Sequence, residues 1–193
     1  MVSNQLVGLV LFVFAAIVFY VFLFGIFWGA GYTPTRRRQL LAAASLLQLK
    51  EGDTVYDLGS GFGKAVIFFA EQYHVSAIGI EIDPLRCFLT KWSVRRHRVS
   101  ANVTVVRGNL LDTDLRQASK VFFFLTPLLM RKVQEKVARE MPEGGRAVSV
   151  DHRFPDWKPV ESIQNVHLYI VPRPAGAPET KGTRDSDNLP PNV

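Results

Sequence analysis

The 193-residue chain is predicted to be an α/β protein, a parallel sheet with helices on both faces, preceded by one N-terminal transmembrane helix. Three observations carry that prediction. The first 35 residues hold no charged side chain. From residue 54 onward, short apolar strands alternate with helices, the pattern of a parallel sheet with helical crossovers. The first strand also runs directly into three closely spaced glycines, Gly59, Gly61 and Gly63, which let backbone come close to a ligand at the mouth of such a sheet.

The stretch from Leu6 to Gly29 is apolar or small throughout. At about 1.5 Å per residue it reaches roughly 36 Å as a helix, enough to cross a hydrocarbon core of about 30 Å. It does not fit a secretory signal, which has a basic n-region and a shorter apolar core. Arg36, Arg37 and Arg38 follow the run, while its other flank has no Lys or Arg. The positive-inside rule then puts the C-terminal part in the cytoplasm as a single-pass protein. Tyr20, Trp28 and Tyr32 lie toward the basic end, where amphipathic aromatics favour the headgroup level. Gly25 and Gly29 form a GxxxG pair, a helix-dimer pattern that arises easily by chance in a Gly-containing span, so oligomeric state stays open.

The remaining elements follow in order. Thr33-Pro34 reads as a cap-then-proline helix start ahead of RRRQLLAAASLL. Thr54–Leu58 is the first strand, Lys64–Tyr73 a helix, and Ser76–Ile82 the second strand. Asp83-Pro84 opens a helix running to about Arg98. Asn102–Arg107 and Lys120–Leu125 are the third and fourth strands, the latter almost wholly apolar, as befits a central parallel strand. Thr126-Pro127 opens a helix that stops at Gly144-Gly145, and Ala147–Val150 and Val166–Val171 complete the sheet. From Arg173 on, Pro, Gly and polar residues dominate, and a disordered tail is expected. The predicted organisation is thus an anchor at 1–32, a folded domain at 33–172 and a tail at 173–193.

Composition narrows the chemistry. There is one cysteine, Cys87, and four scattered histidines, which excludes a disulfide framework, a Cys-rich zinc module and an HExxH site; no metal is expected. The formal charge of +6 fits attraction to anionic lipid headgroups beside a membrane span. No RNP, helix-turn-helix or finger pattern accompanies it, so nucleic acid is not expected as a partner. The sequon at Asn102 falls in a strand on the cytoplasmic side and is read as chance.

The informative segment is Asp57-Leu-Gly59-Ser-Gly61-Phe-Gly63. Twenty residues after Gly61, Glu81 ends the second strand, where a carboxylate can accept from both hydroxyls of a ribose. A dinucleotide fingerprint would need glycine at 64, and Lys64 stands there. Asp57, two residues before the first glycine, would sit badly beside a pyrophosphate but suits a ligand with an ammonium group and no phosphates. S-adenosylmethionine has those features.

With these motifs the sequence resembles class I S-adenosylmethionine-dependent methyltransferases, DLGSGFG standing as their first motif. More narrowly it is similar to the protein-lysine methyltransferase family that includes archaeal enzymes and the ATP synthase c-subunit lysine methyltransferase. That likeness rests on Tyr32-Thr-Pro34-Thr35, the Gly108-Asn-Leu110 turn and Phe154-Pro-Asp-Trp157-Lys-Pro159. It implies a Rossmann-like methyltransferase sheet and cofactor contacts from Tyr32, Thr35, Asp57, Gly59, Gly61, Glu81 and Asn109. Asn109 stands where many class I enzymes carry Asp, and its amide oxygen offers a weaker acceptor to the adenine amino group. Leu125-Thr-Pro127 replaces the motif used for amino groups of bases or amides, which points away from those acceptors.

The expected activity is N-methylation of a lysine on a membrane-associated protein. A lysine must lose a proton before it can attack, and a dry channel beside a cationic ligand depresses its pKa without a strong base. Tyr32, Asp151 and Trp157 are the candidates to line that acceptor channel, aromatic faces holding the methylammonium by cation–π contact. Plain packing is the equal alternative for Trp157. Two other readings stay open: a methyltransferase for a membrane lipid or quinone-type molecule, and a non-catalytic, membrane-tethered S-adenosylmethionine-binding protein.

Overall fold

The computed structural model describes residues 4–28 and 34–172, with side chains for 4–20 and 34–172. Helix α1 spans Asn4–Trp28, 25 residues without a charge. Its described side chains end at Tyr20, and among the described residues no helix is long and apolar enough to cross a membrane. The predicted tail at 173–193 and the segment 29–33, including Tyr32, lie outside the described residues.

The rest folds around one seven-stranded sheet ordered β3-β2-β1-β4-β5-β7-β6. The strands are β1 (Thr54–Leu58), β2 (Ser76–Glu81), β3 (Val103–Arg107), β4 (Lys120–Phe123), β5 (Arg146–Val150), β6 (Glu161–Ile163) and β7 (Val166–Ile170). The first five pair in parallel, with β1 between β2 and β4. Parallel strands need crossovers. Helices α3 (Lys64–Tyr73), α4 (Pro84–Arg96) and α5 (Pro127–Glu140) supply three of them, and the turn-rich segment after β3 leads to β4. The order reverses between β1 and β4, so the crevice at their C-terminal ends is where such sheets bind ligands.

Each face of the sheet is covered by its own helices. On one side α2 (Arg37–Leu47), α3 and Val94 of α4 pack on Val55, Ala77, Phe122, Val148 and Leu168. On the other, Met130, Val133 and Val137 of α5 pack with Phe123, Ala147, Phe154 and Tyr169. β4 is buried on both faces, which explains its unbroken apolar spelling.

Three sequence expectations are corrected. The sheet is mixed, because β7 runs antiparallel to β5. A short strand not anticipated, β6, joins β7 through Gln164 and Asn165, both with φ near +60°. That is the left-handed two-residue turn of a hairpin, and Asn165 was its signal. Helix α2 also begins at Arg37, later than the Thr33-Pro34 signal. The backbone N–H of Arg36 donates to Gln39 Oε1 at 3.1 Å, and Lys64 bonds the Thr35 carbonyl, so Arg36, extended at φ −75° and ψ 149°, is the cap and the helix starts after it.

Candidate cofactor site

A cavity of about 290 Å³ opens at the C-terminal ends of β1, β2 and β4. It is built from the turns that follow those strands. After β1 the chain must reverse into α3, and the N–H groups of Gly59 and Ser60 both donate to the carbonyl of Ile80 at 2.9 Å. Gly59, Gly61 and Gly63 all have positive φ. At Gly63 a side chain is excluded on two counts, its φ of +74° and a collision between any Cβ and the methyl of Thr90. Thr90 Oγ1 in turn donates to the Gly61 carbonyl at 3.1 Å, fastening the loop to α4.

Two buried carboxylates, Glu81 and Asp57, border the cavity beside this loop. Glu81 is 5% exposed and receives the Gly61 N–H on Oε2 at 2.8 Å and the Asp83 N–H on Oε1 at 3.0 Å. Its oxygens are fixed by the turns on either side, and each keeps a further lone pair for a hydroxyl. Asp57 is 3% exposed. Burial, and then the nearby charge of Glu81, pushes its carboxyl up to about 8. An acid so placed favours a cation as its neighbour, because only a positive group offsets the cost of ionising it there.

The other walls come from further along the chain. Pro34 and Thr35 form one edge, and the Thr35 carbonyl accepts from Lys64 Nζ at 2.5 Å. Asn109 follows β3, where the N–H of Gly108 donates to the Glu81 carbonyl at 2.9 Å. The Asn109 Oδ1 accepts from the Leu111 N–H at 3.0 Å, so an adenine amino group would share that oxygen rather than have it alone. Phe122, Phe124, Leu125 and Leu129 supply an apolar wall.

Six of the residues named from the sequence as cofactor contacts, Thr35, Asp57, Gly59, Gly61, Glu81 and Asn109, therefore line one cavity. Tyr32 lies outside the described residues. Asp151 and Trp157 are not in the cavity wall. Asp151 has φ +61° and accepts from Gln39 Nε2 at 2.9 Å, a bond between the end of β5 and the start of α2. Trp157 stacks on Phe154, with ring centroids 5.8 Å apart, and tilts against Tyr169 at 5.7 Å. Its indole is part of the aromatic cluster beneath β7.

Sequence reasoning passed over Lys64, Phe62 and Arg86. Lys64 had entered only as a departure from the dinucleotide pattern; its partner Thr35 is 29 residues away, which no local pattern reveals. Arg86 stands over the Phe62 ring at 5.7 Å, and both border the cavity. Asp83, which caps α4 by accepting from the Leu85 and Arg86 N–H groups, also accepts from Tyr20 Oη at 2.6 Å. That bond brings α1 to the rim of the site.

The donor set fits S-adenosylmethionine: a glycine cradle, an acid for hydroxyls at Glu81, and a buried acid awaiting a cation at Asp57. Comparison with known proteins agrees. The model of the ANTKMT methyltransferase domain family matches residues 57–161. A Saccharolobus islandicus protein-lysine N-methyltransferase is 28% identical, over 72% of this chain and 92% of its own length. The mouse adenine nucleotide translocase lysine N-methyltransferase is 33% identical over 72% of this chain. The match spans 62% of the mouse protein, less than two thirds of its length. Among solved structures, an RNA methyltransferase from Salinibacter ruber in complex with S-adenosyl-L-homocysteine superposes with a TM-score of 0.71 at 27% identity. That match covers 76% of this chain and 97% of the other.

Proposed function

The chain belongs to the ANTKMT methyltransferase domain family, and on that premise we propose that it methylates a lysine side chain of a membrane-associated protein. The observation that carries the proposal is the convergence of Asp57, Glu81 and the glycine turn on one cavity. Bound there, S-adenosylmethionine supplies a methyl group on a sulfonium that already leaves well. What remains for the protein is positioning, which can contribute up to about 7–11 kcal/mol of barrier lowering.

The roles divide along the cavity wall. Glu81, held by two backbone N–H groups, orients the ribose hydroxyls. Asp57 receives the ammonium of the amino-acid tail and ionises as it does so. Asn109 and the turn around it border the adenine. The apolar wall formed by Phe122, Phe124, Leu125 and Leu129 keeps water away and disfavours a charged acceptor amine, so an approaching lysine gives up its proton more readily. Among the described residues no histidine lines the cavity, and this account uses none. Of the residues expected on the acceptor side, Asp151 is held by Gln39 and Trp157 packs on Phe154 and Tyr169, both outside the cavity wall, so neither has a role in transfer in this reading.

Support for lysine comes from the named activities of the archaeal and mouse relatives. Support for a membrane-associated acceptor comes from the uncharged α1. In this reading α1 anchors the protein and the domain lies on the side marked by Arg36, Arg37 and Arg38, the cytoplasmic one. The Salinibacter neighbour gives RNA as the second reading. One experiment separates the outcomes. Full-length protein and native membranes are incubated with methyl-labelled cofactor, and label is traced to protein hydrolysate, extracted lipid and RNA. Methyl-lysine in the membrane-protein fraction is the expected result. Label in lipid or RNA, or no turnover despite cofactor binding, would replace the proposal with the corresponding alternative.

A further inference from the structure

Helix α4 packs on the sheet with Cys87, Thr90 and Val94, all buried. Its opposite side presents Leu85, Phe88, Leu89 and Trp92, which are 45%, 66%, 37% and 56% exposed. These positions follow the i, i+3, i+4, i+7 spacing of one helical face, so four large apolar side chains form a single stripe. Soluble surfaces scatter such residues singly; a continuous stripe marks an interaction site. The rest of α4 is basic. Arg86, Lys91, Arg95 and Arg96 stand on it with no acidic residue among them, and Arg98 follows. Arg96 lies over the Trp92 ring at 5.8 Å, its cation set at the edge of the stripe.

From this we infer that α4 is a second membrane contact, lying in the interface of an anionic bilayer with Leu85, Phe88, Leu89 and Trp92 among the acyl chains and Lys91, Arg95 and Arg96 against phosphate headgroups. The stripe is flanked by Lys91 and Arg95 on one side and Arg86 on the other, and Arg96 follows Trp92 at its C-terminal end, so an apolar face rimmed by cations is turned outward, as on a helix that lies in that interface. The charges attract a negatively charged surface. They also argue against a second copy of the chain, because a two-fold contact would set two acid-free basic faces together. At its first turn α4 also meets α1, where Tyr20 bonds Asp83, the residue that caps α4. Arg86 on that turn stands over Phe62 at the cavity mouth. A bilayer that receives α4 therefore also meets the opening of the cofactor site.

The inference takes from the proposed function only that the domain works at a bilayer. Its test uses the full chain in lipid nanodiscs, of phosphatidylcholine alone or with phosphatidylserine. A C87S/F88C variant carries an environment-sensitive dye at position 88, where the side chain is exposed and outside the cavity. With phosphatidylserine, the dye should shift to shorter wavelength, be quenched by doxyl groups on the lipid chains and be shielded from aqueous iodide. Adding K91E, R95E and R96E should abolish all three effects while affinity for S-adenosylhomocysteine is retained, which shows the fold intact. A dye as open to iodide in anionic discs as in detergent would overturn the inference. Shielding already present in detergent and dependent on protein concentration would assign the face to a second copy. Shielding produced by added RNA instead of lipid would assign it to nucleic acid. Failure of α1 as an anchor shows separately, as loss of disc lipid from the purified protein.

Discussion

Replacing Asp57 with Asn tests the electrostatic account of the cavity directly. The carboxyl is 3% exposed, and burial together with Glu81 raises it to about 8. At pH 7 roughly nine in ten free sites then hold Asp57 protonated. Binding a ligand ammonium favours the ionised form, so association should release up to about one proton at pH 7 and fewer as pH passes 8. Affinity should accordingly rise with pH between 6 and 8, by at most about tenfold per unit. Stability has the opposite sign. The folded state holds this proton to a higher pH than the unfolded chain does, so between about pH 4 and 8 the folded state binds more protons and stability falls as pH rises, by at most about 1.4 kcal/mol per unit. D57N removes the titrating group while keeping shape. It should flatten both dependences, lift stability at pH 8, and weaken S-adenosylhomocysteine by about 10- to 150-fold, the worth of one hydrogen bond to a charged group. Calorimetry in two buffers of different ionisation enthalpy measures the proton, and urea melts at several pH values measure the slope. Binding by the unmodified protein with no proton release, or full affinity in D57N, would refute the assignment of Asp57 to the ammonium.

Glu81→Gln should weaken S-adenosylhomocysteine by a similar factor, since one of its two carboxylate acceptors becomes a donor facing the N–H of Gly61 or Asp83; calorimetry showing unchanged affinity would remove Glu81 from the site. Gly63→Ala should cost about 1–3 kcal/mol in urea unfolding, because it adds strain at φ +74° and a collision with Thr90. A second change, Thr90→Ser, deletes the colliding methyl but keeps the hydroxyl bound to Gly61, and should recover part of that loss. Trp157→Ala should lower stability by roughly 1–3 kcal/mol through its Phe154 and Tyr169 contacts and leave cofactor affinity intact; the reverse pattern would put the indole back in the site.

Much of the fold could be read in advance because its signals are local. Glycines requiring positive φ, an Asp-Pro helix start at 83–84 and an apolar run for the central strand each determine their structure within a few residues. The cofactor side was legible for the same reason: class I spacing sets Asp57, the glycines and Glu81 on adjacent strand ends, and they meet in the cavity. The misreadings concern partners distant in sequence. Thr33-Pro34 carries a good capping signal, yet Lys64 takes the Thr35 carbonyl and the helix starts at Arg37. β6 is three residues long with exposed side chains, so it had no periodicity to show. Asp151 and Trp157 lie in and after a turn at the end of β5, and nothing in their neighbourhood states which way those side chains point. The apolar stripe on α4 was obscured because apolar residues occur on both sides of that helix, one side packed on the sheet and the other facing outward.

The bond from Lys64 to Thr35 has a consequence for substrate choice. Thr35 is both a wall of the cavity and the continuation of the segment leading back to α1, and Lys64 stands on the first turn after the glycine loop. The cofactor loop and the segment at Thr35 are therefore fastened to each other. Tyr20 on Asp83 makes a second fastening on the opposite side of Glu81. A free tether raises the local concentration of every acceptor within its reach. In the proposed anchor reading, these fastenings would also limit how far the mouth can turn relative to the bilayer. Under the anchor reading, discrimination among lysines then follows from height above the bilayer as much as from the residues around them. An acceptor held at the interface meets the cavity in register, while one on a mobile soluble protein must find both position and angle by diffusion.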